Sequence, residues 1–118
     1  MIDIAEIKNE DEWENTKTGS LNKNELIVFK FSPVCTVSFT AGKILETWCS
    51  KLDSDNGLKI VQVNVIKSRA LSNKIENETS VRHESPQIIW FEKNGNIKWH
   101  GSHFMISAKS LSAQLEAV

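Results

Sequence analysis

Phe31 to Ser38, FSPVCTVS, decides the fold, because a strand pattern stops and a helical pattern starts within it. Just upstream, Glu25 to Phe31 reads ELIVFKF, a nearly continuous apolar run that predicts a central strand covered on both faces. Downstream, Val37, Ala41, Ile44, Leu45, Trp48 and Leu52 recur at helical spacing and predict an amphipathic helix from about Thr36 to Leu52. Cys35 stands at the junction. A helix N-terminus offers unpaired N–H groups and the positive end of the backbone dipole, which lower a cysteine pKa from about 8.5 to about 3.5–7.5. Cys35 is therefore the candidate nucleophile, with Thr36, Val37 and Ser38 as its supporting turn. Ser38 occupies the place where a Cys-x-x-Cys motif would carry its second sulfur, so the pattern is monothiol.

Working outward, Ile2 and Ile4 alternate with polar residues and suggest a short edge strand. A first helix is expected around Asn9 to Thr18, ended by Gly19. After the turn chemistry of Asp53 to Gly57, Leu58 to Ile66 alternates as a second buried strand, which makes a right-handed crossover with the first. Lys67 to Asn77 predicts a helix with Ala70, Leu71 and Ile75 inward, and the polar stretch Glu78 to Ser85 predicts a loop ending at Pro86. Gln87 to Phe91 and Ile97 to Gly101 flank an Asn94-Gly95 pair and predict an antiparallel hairpin. Ser107 caps a last helix docked through Ala108, Leu111, Leu115 and Val118. This β-α-β-α-β-α-β-β-α order predicts an α/β domain with a mixed sheet of about five strands and helices on both faces, compatible with a thioredoxin-like fold. At 118 residues the chain is expected to be one domain, 1–118.

The net charge of −1 comes from interspersed lysines and carboxylates, so nucleic acid and anionic membrane are disfavoured as partners. The first residues carry no basic segment followed by an apolar run, and no stretch approaches the roughly 20 apolar residues of a membrane span, which predicts a cytoplasmic protein. Cys49 lies fourteen residues beyond Cys35 on the same helix, roughly 20 Å away at 1.5 Å per residue, too far for a disulfide. It is expected to be a small, partly buried hydrophobe. No spacing of histidines and cysteines supports a metal site.

In such a sheet the Ser85-Pro86 turn converges on Cys35 and forms a shallow groove for an extended peptide. A proline there is often cis, but trans is the default from sequence alone. His83 and His103 flank the groove as candidate substrate-binding residues, although structural hydrogen bonding is the commoner role for either. His100 is expected on a strand face, and Trp90, Trp99 and Phe91 in hairpin packing.

Three segments resemble the bacillithiol-system YtxJ family, the monothiol bacilliredoxins, which are thioredoxin-like. They are SPVCTVS at Ser32 to Ser38, VRHESPQ at Val81 to Gln87, and NGNIKWHGSHF at Asn94 to Phe104. Where the family resembles Thr-Cys-Pro-Ile-Ser, this chain has Val34-Cys35-Thr36-Val37-Ser38, which restores an amide N–H at Thr36 as a further donor toward the sulfur. The resemblance implies a thiol–disulfide oxidoreductase, with a stress-response role, that removes bacillithiol from S-bacillithiolated proteins through Cys35. It implies no bound cofactor, with bacillithiol as the low-molecular-weight thiol co-substrate. Bacillithiol carries a malate portion, and Lys30, Lys43 and Arg82 are the cations placed nearest the cysteine by position. The alternative is a non-catalytic thioredoxin-like binding or adaptor module in which Cys35 is incidental.

Overall fold

The computed structural model describes residues 4–52 and 57–116. Its elements are β1 (Ala5–Glu6), α1 (Glu10–Ser20), β2 (Glu25–Phe31), α2 (Thr36–Ser50), β3 (Leu58–Asn64), α3 (Arg69–Thr79), β4 (Gln87–Phe91), β5 (Ile97–Ser102), a short 3₁₀ turn (His103–Met105) and α4 (Ala108–Glu116). The sheet order is β1-β3-β2-β4-β5. β2 runs parallel to β3 and antiparallel to β4, and is thus the hinge of the mixed sheet.

The uninterrupted apolar reading of β2 follows from its position, since alternate side chains enter opposite cores. Leu26 and Val28 pack with Trp13 of α1 and Leu71 and Ile75 of α3. Ile27 and Phe29 pack with Leu45 and Trp48 of α2 and Leu111 of α4. Both faces are therefore roofed by helices, and β2 delivers its last residue, Phe31, to the open edge from which α2 departs.

Several boundaries differ from the expectation. The N-terminal strand is Ala5–Glu6, one residue past Ile4, while Ile2 lies outside the described residues. Gly19 does not stop α1. The helix continues to Ser20 and closes when Leu21 donates its N–H to the Lys17 carbonyl, and the chain reverses at Asn22, φ 76°. Its start is fixed by Asn9, whose side chain accepts from the Glu12 N–H. Ala70 and Ala108 are exposed, so the apolar anchors are Leu71 and Ile75 in α3 and Leu111, with the partly buried Leu115, in α4. Val118 and the residues Asp53 to Asn56 of the expected turn lie outside the described residues. The hairpin forms as expected around Gly95, φ 91°, with a register shift at Trp90/Phe91. Ser107 caps α4 by accepting from the Ser110 N–H at 3.1 Å.

Candidate active site

Cys35 is the N-cap of α2, with extended backbone angles (φ −107°, ψ 123°) that end the strand conformation before the helix begins. No side chain caps this helix and its first turn holds no acidic residue, so the N-terminal amides keep their positive character for the sulfur. The thiol is half-buried. Its pKa is held below the ordinary value by the backbone N–H of Ser38 first of all; burial pushes the other way, and the Val37 N–H and the Ser38 hydroxyl add to the lowering. The amides that lower it are those of Val37 and Ser38, so the donor anticipated from Thr36 is not among them.

Ser38 does more than lack sulfur. It is buried, its Oγ accepts from the Ser32 N–H at 3.0 Å, and it lies 3.4 Å from Ser85 Oγ. With the Ser38 proton directed to Cys35, its two lone pairs are matched by the Ser32 N–H and the Ser85 O–H. One hydroxyl therefore joins the cysteine turn to the proline-bearing turn. The Ser85–Pro86 peptide is cis, where trans was the default. Pro86 is buried, and its carbonyl accepts from the His103 N–H at 3.0 Å, which carries the contact on to the end of β5. His103 itself adopts φ 51° and is exposed.

Two clefts flank the start of α2. One, of about 220 Å³, is lined by Phe31, Pro33, Cys35, Ser38, Phe39 and Lys43. The other, of about 330 Å³, is lined by Thr36, Val37, Ile44, His103, Phe104 and Ile106. Phe39 and Phe104 are exposed apolar side chains, one on each rim, and Val34 beside the cysteine is 82 % exposed. Their contribution was not read from the sequence, since an isolated Phe in a helical or loop pattern carries no mark of exposure.

The three cations separate. Lys43 lines the cleft that contains Cys35, with its Nζ 5.4 Å from the Phe39 ring centroid and 3.6 Å from Glu46. Arg82 is exposed, and its carbonyl accepts from Gln87. Lys30 is corrected outright, for it is fully buried, with Nζ donating to the Ser72 carbonyl at 3.0 Å, and cannot meet a ligand at the surface. His83 has its Nδ1 3.3 Å from Ser72 Oγ and 3.5 Å from Lys30 Nζ. Cys49 is buried, and burial together with Glu46 pushes its thiol up to about 11. Among the described residues no cluster of three or more metal-ligating side chains exists, and no helix is long and apolar enough to cross a membrane.

A family model described as monothiol bacilliredoxin BrxC matches residues 5–111. Among solved structures, one described as an oxidoreductase candidate with a thioredoxin fold is 24% identical, with a TM-score of 0.82 over 96% of this chain and 94% of that one. Chloroplastic thioredoxin z is 20% identical, with a TM-score of 0.73 over 100% and 98% of the two chains. Fasciola hepatica thioredoxin is 12% identical, with a TM-score of 0.75 over 95% and 96%. These likenesses establish a thioredoxin fold.

Proposed function

The chain belongs to the monothiol bacilliredoxin BrxC family, and from that premise we propose that it removes bacillithiol from mixed disulfides on proteins, using Cys35 as its single working thiol. The observation that carries the reading is the sulfur's placement at an uncapped helix start, with the Ser38 and Val37 amides lowering its pKa. The Cys35 thiolate attacks the bacillithiol sulfur of the mixed disulfide. A bond forms between Sγ and that sulfur, the original disulfide breaks, and the target protein leaves as a thiolate. Cys49 cannot resolve the adduct, being buried, protonated and a full helix length away. A second low-molecular-weight thiol, bacillithiol as co-substrate, then attacks the adduct, giving bacillithiol disulfide and free Cys35.

Ser85 and Pro86, joined to the cysteine turn through Ser38 and to His103 through the Pro86 carbonyl, are the backbone against which an extended protein segment would pair. Lys43 is the cation available to a carboxylate of the small thiol. Intact-mass measurement after exposure to bacillithiol disulfide, and separately to glutathione disulfide, tests the reading. The expected result is one bacillithiol adduct on Cys35, formed faster than the glutathione adduct. An unmodified Cys35 would favour the adaptor reading.

A further inference from the structure

Lys30 is a buried cation that the thiol chemistry does not use. It is fully buried in the penultimate position of β2 and pairs in register with Gln87, the first residue of β4. Burying an ammonium is expensive unless good acceptors receive it, and an apolar side chain would fill the same space at less cost. The acceptors here are the Ser72 carbonyl of α3 at 3.0 Å and Nδ1 of His83 at 3.5 Å. An ammonium only donates, so the tautomer that receives it is the neutral imidazole with its proton on Nε2 and its Nδ1 lone pair turned to Lys30, a lone pair shared with Ser72 Oγ 3.3 Å away. Two more bonds fix the same stretch of chain. The His83 N–H donates to Glu76 Oε2 at 2.7 Å, and Gln87 Nε2 donates to the Arg82 carbonyl at 2.8 Å. Gln87 Oε1 is buried without a hydrogen-bond partner, which places an additional free acceptor on the residue paired with the ammonium.

The Ser72 bond anchors Lys30 to α3, and the other ties fall on Arg82, His83 or Gln87, immediately around Ser85 and Pro86, whose Ser85 Oγ lies 3.4 Å from Ser38 Oγ. We infer that Lys30 is a positioning residue: its buried ammonium, received by His83 and Ser72, holds the chain from Arg82 to Pro86 in the place where Ser85 meets Ser38, and thereby sets the turn that a disulfide-bearing protein must engage beside Cys35. The inference rests on the thiol-transfer reading for its functional consequence, and on the hydrogen bonds alone for the lock.

The charged groups around the lock give it a pH signature. Burial lowers the His83 pKa, Lys30 and Arg69 lower it further, and Glu76 and Glu84 oppose them. Burial brings Lys30 down to about 8, with Glu76 opposing. Protonation of Nδ1 removes the lone pair and sets cation against cation, so the lock opens on the acid side of His83's titration. Above about 8 the ammonium loses its charge and the bond weakens.

Lys30→Met and His83→Leu in the full chain test this. His83 is only half-buried, so His83→Leu is the milder change and carries the test should Lys30→Met fail to fold. Hydrogen exchange is followed at Arg82 to Ser85, alongside the rate constants of Cys35 toward a bacillithiolated protein and toward iodoacetamide, from pH 5 to 7.5. We expect exchange at Arg82 to Ser85 to quicken about tenfold with β2 and β3 amides unchanged. The protein-disulfide rate should fall about tenfold while alkylation stays within about twofold. The ratio of the two rates cancels the thiolate fraction. In the wild type it should drop as pH falls through the His83 titration, and in both variants that drop should vanish. Unchanged exchange would overturn the lock, and faster exchange with an unchanged ratio would overturn its role in positioning. A wild type inert to the bacillithiolated protein would instead defeat the functional reading, leaving the exchange result to decide the lock.

Discussion

In the proposed reaction, the fate of an adduct on Cys35 turns on Ser38. Its hydroxyl and amide both lower the pKa of the sulfur, and its side chain bridges Ser32 and Ser85. Ser38→Ala keeps the amide, so the alkylation midpoint of Cys35 should move to higher pH without reaching that of a free thiol; an unmoved midpoint would show that the hydroxyl is irrelevant. Ser38→Cys installs a thiol beside Cys35, and the bacillithiol adduct should then collapse to an internal disulfide with release of the small thiol. An adduct that persists in that variant would contradict the geometry. The pH dependence has a definite sign. Because the folded pKa of Cys35 is lowered from its ordinary value, the reactive thiolate is present below that pH and is lost only as pH falls through the lowered value. Cys49, pushed up to about 11, should stay unlabelled at neutral pH, so mass spectrometry after brief alkylation should find a single modification. A lower pKa weakens the nucleophile while improving the leaving group, so the tuning serves turnover of the adduct more than its formation.

At the level of the elements, α2 owes its position to Leu45 and Trp48, both in the core shared with Trp90 and Leu111. Leu45→Ala should cost about 2–5 kcal/mol of stability in urea denaturation, while native-state alkylation of Cys35 keeps its rate, since the turn amides are retained. A matching loss of reactivity would mean that the thiol depends on packing farther down the helix. The strands and the hairpin were legible because their signals are local: the two-sided apolar run of β2, the alternation of β3 and the Asn94-Gly95 turn lie within a few residues of sequence. The position of Cys35 at a helix start was legible for the same reason, at a junction of two periodicities. Lys30 was not, because its acceptors are 42 and 53 residues away and a lysine in a strand carries no local sign of burial. Nor was the bridge from Ser38 to Ser85, since that partner is 47 residues on. Gly19 misled because a glycine near a helix end is a stop only where the chain turns there, and the reversal falls at Asn22.

Across the whole molecule, α1 and α3 are joined by Glu78, which accepts from Trp13 Nε1 at 3.0 Å and from Lys17 at 2.8 Å, and pairs with Lys74 at 3.1 Å. Burial pushes its pKa up, but the hydrogen bonds from Lys17, Trp13 and Lys74 outweigh it and hold the carboxyl at about 2. A depressed carboxyl stabilises the fold above its ordinary 4.5, and the benefit is lost as pH falls from there to about 2. The ion pairs are open to solvent on one side, so Glu78→Gln should flatten the acid limb of the urea-midpoint profile by on the order of 1 kcal/mol or less. An acid limb unchanged in that variant would place the acid sensitivity elsewhere.

The opposite face of the sheet carries the thiol, with β2, β4 and the end of β5 converging on the start of α2. The most direct test of the account is single-turnover transfer from a bacillithiolated protein to the full chain, followed by intact mass of both proteins. The account predicts that the donor loses one bacillithiol as this chain gains one on Cys35, with no transfer to Cys35→Ser. Transfer that survives Cys35→Ser, or a product in which Cys35 is bonded to Cys49, would contradict it.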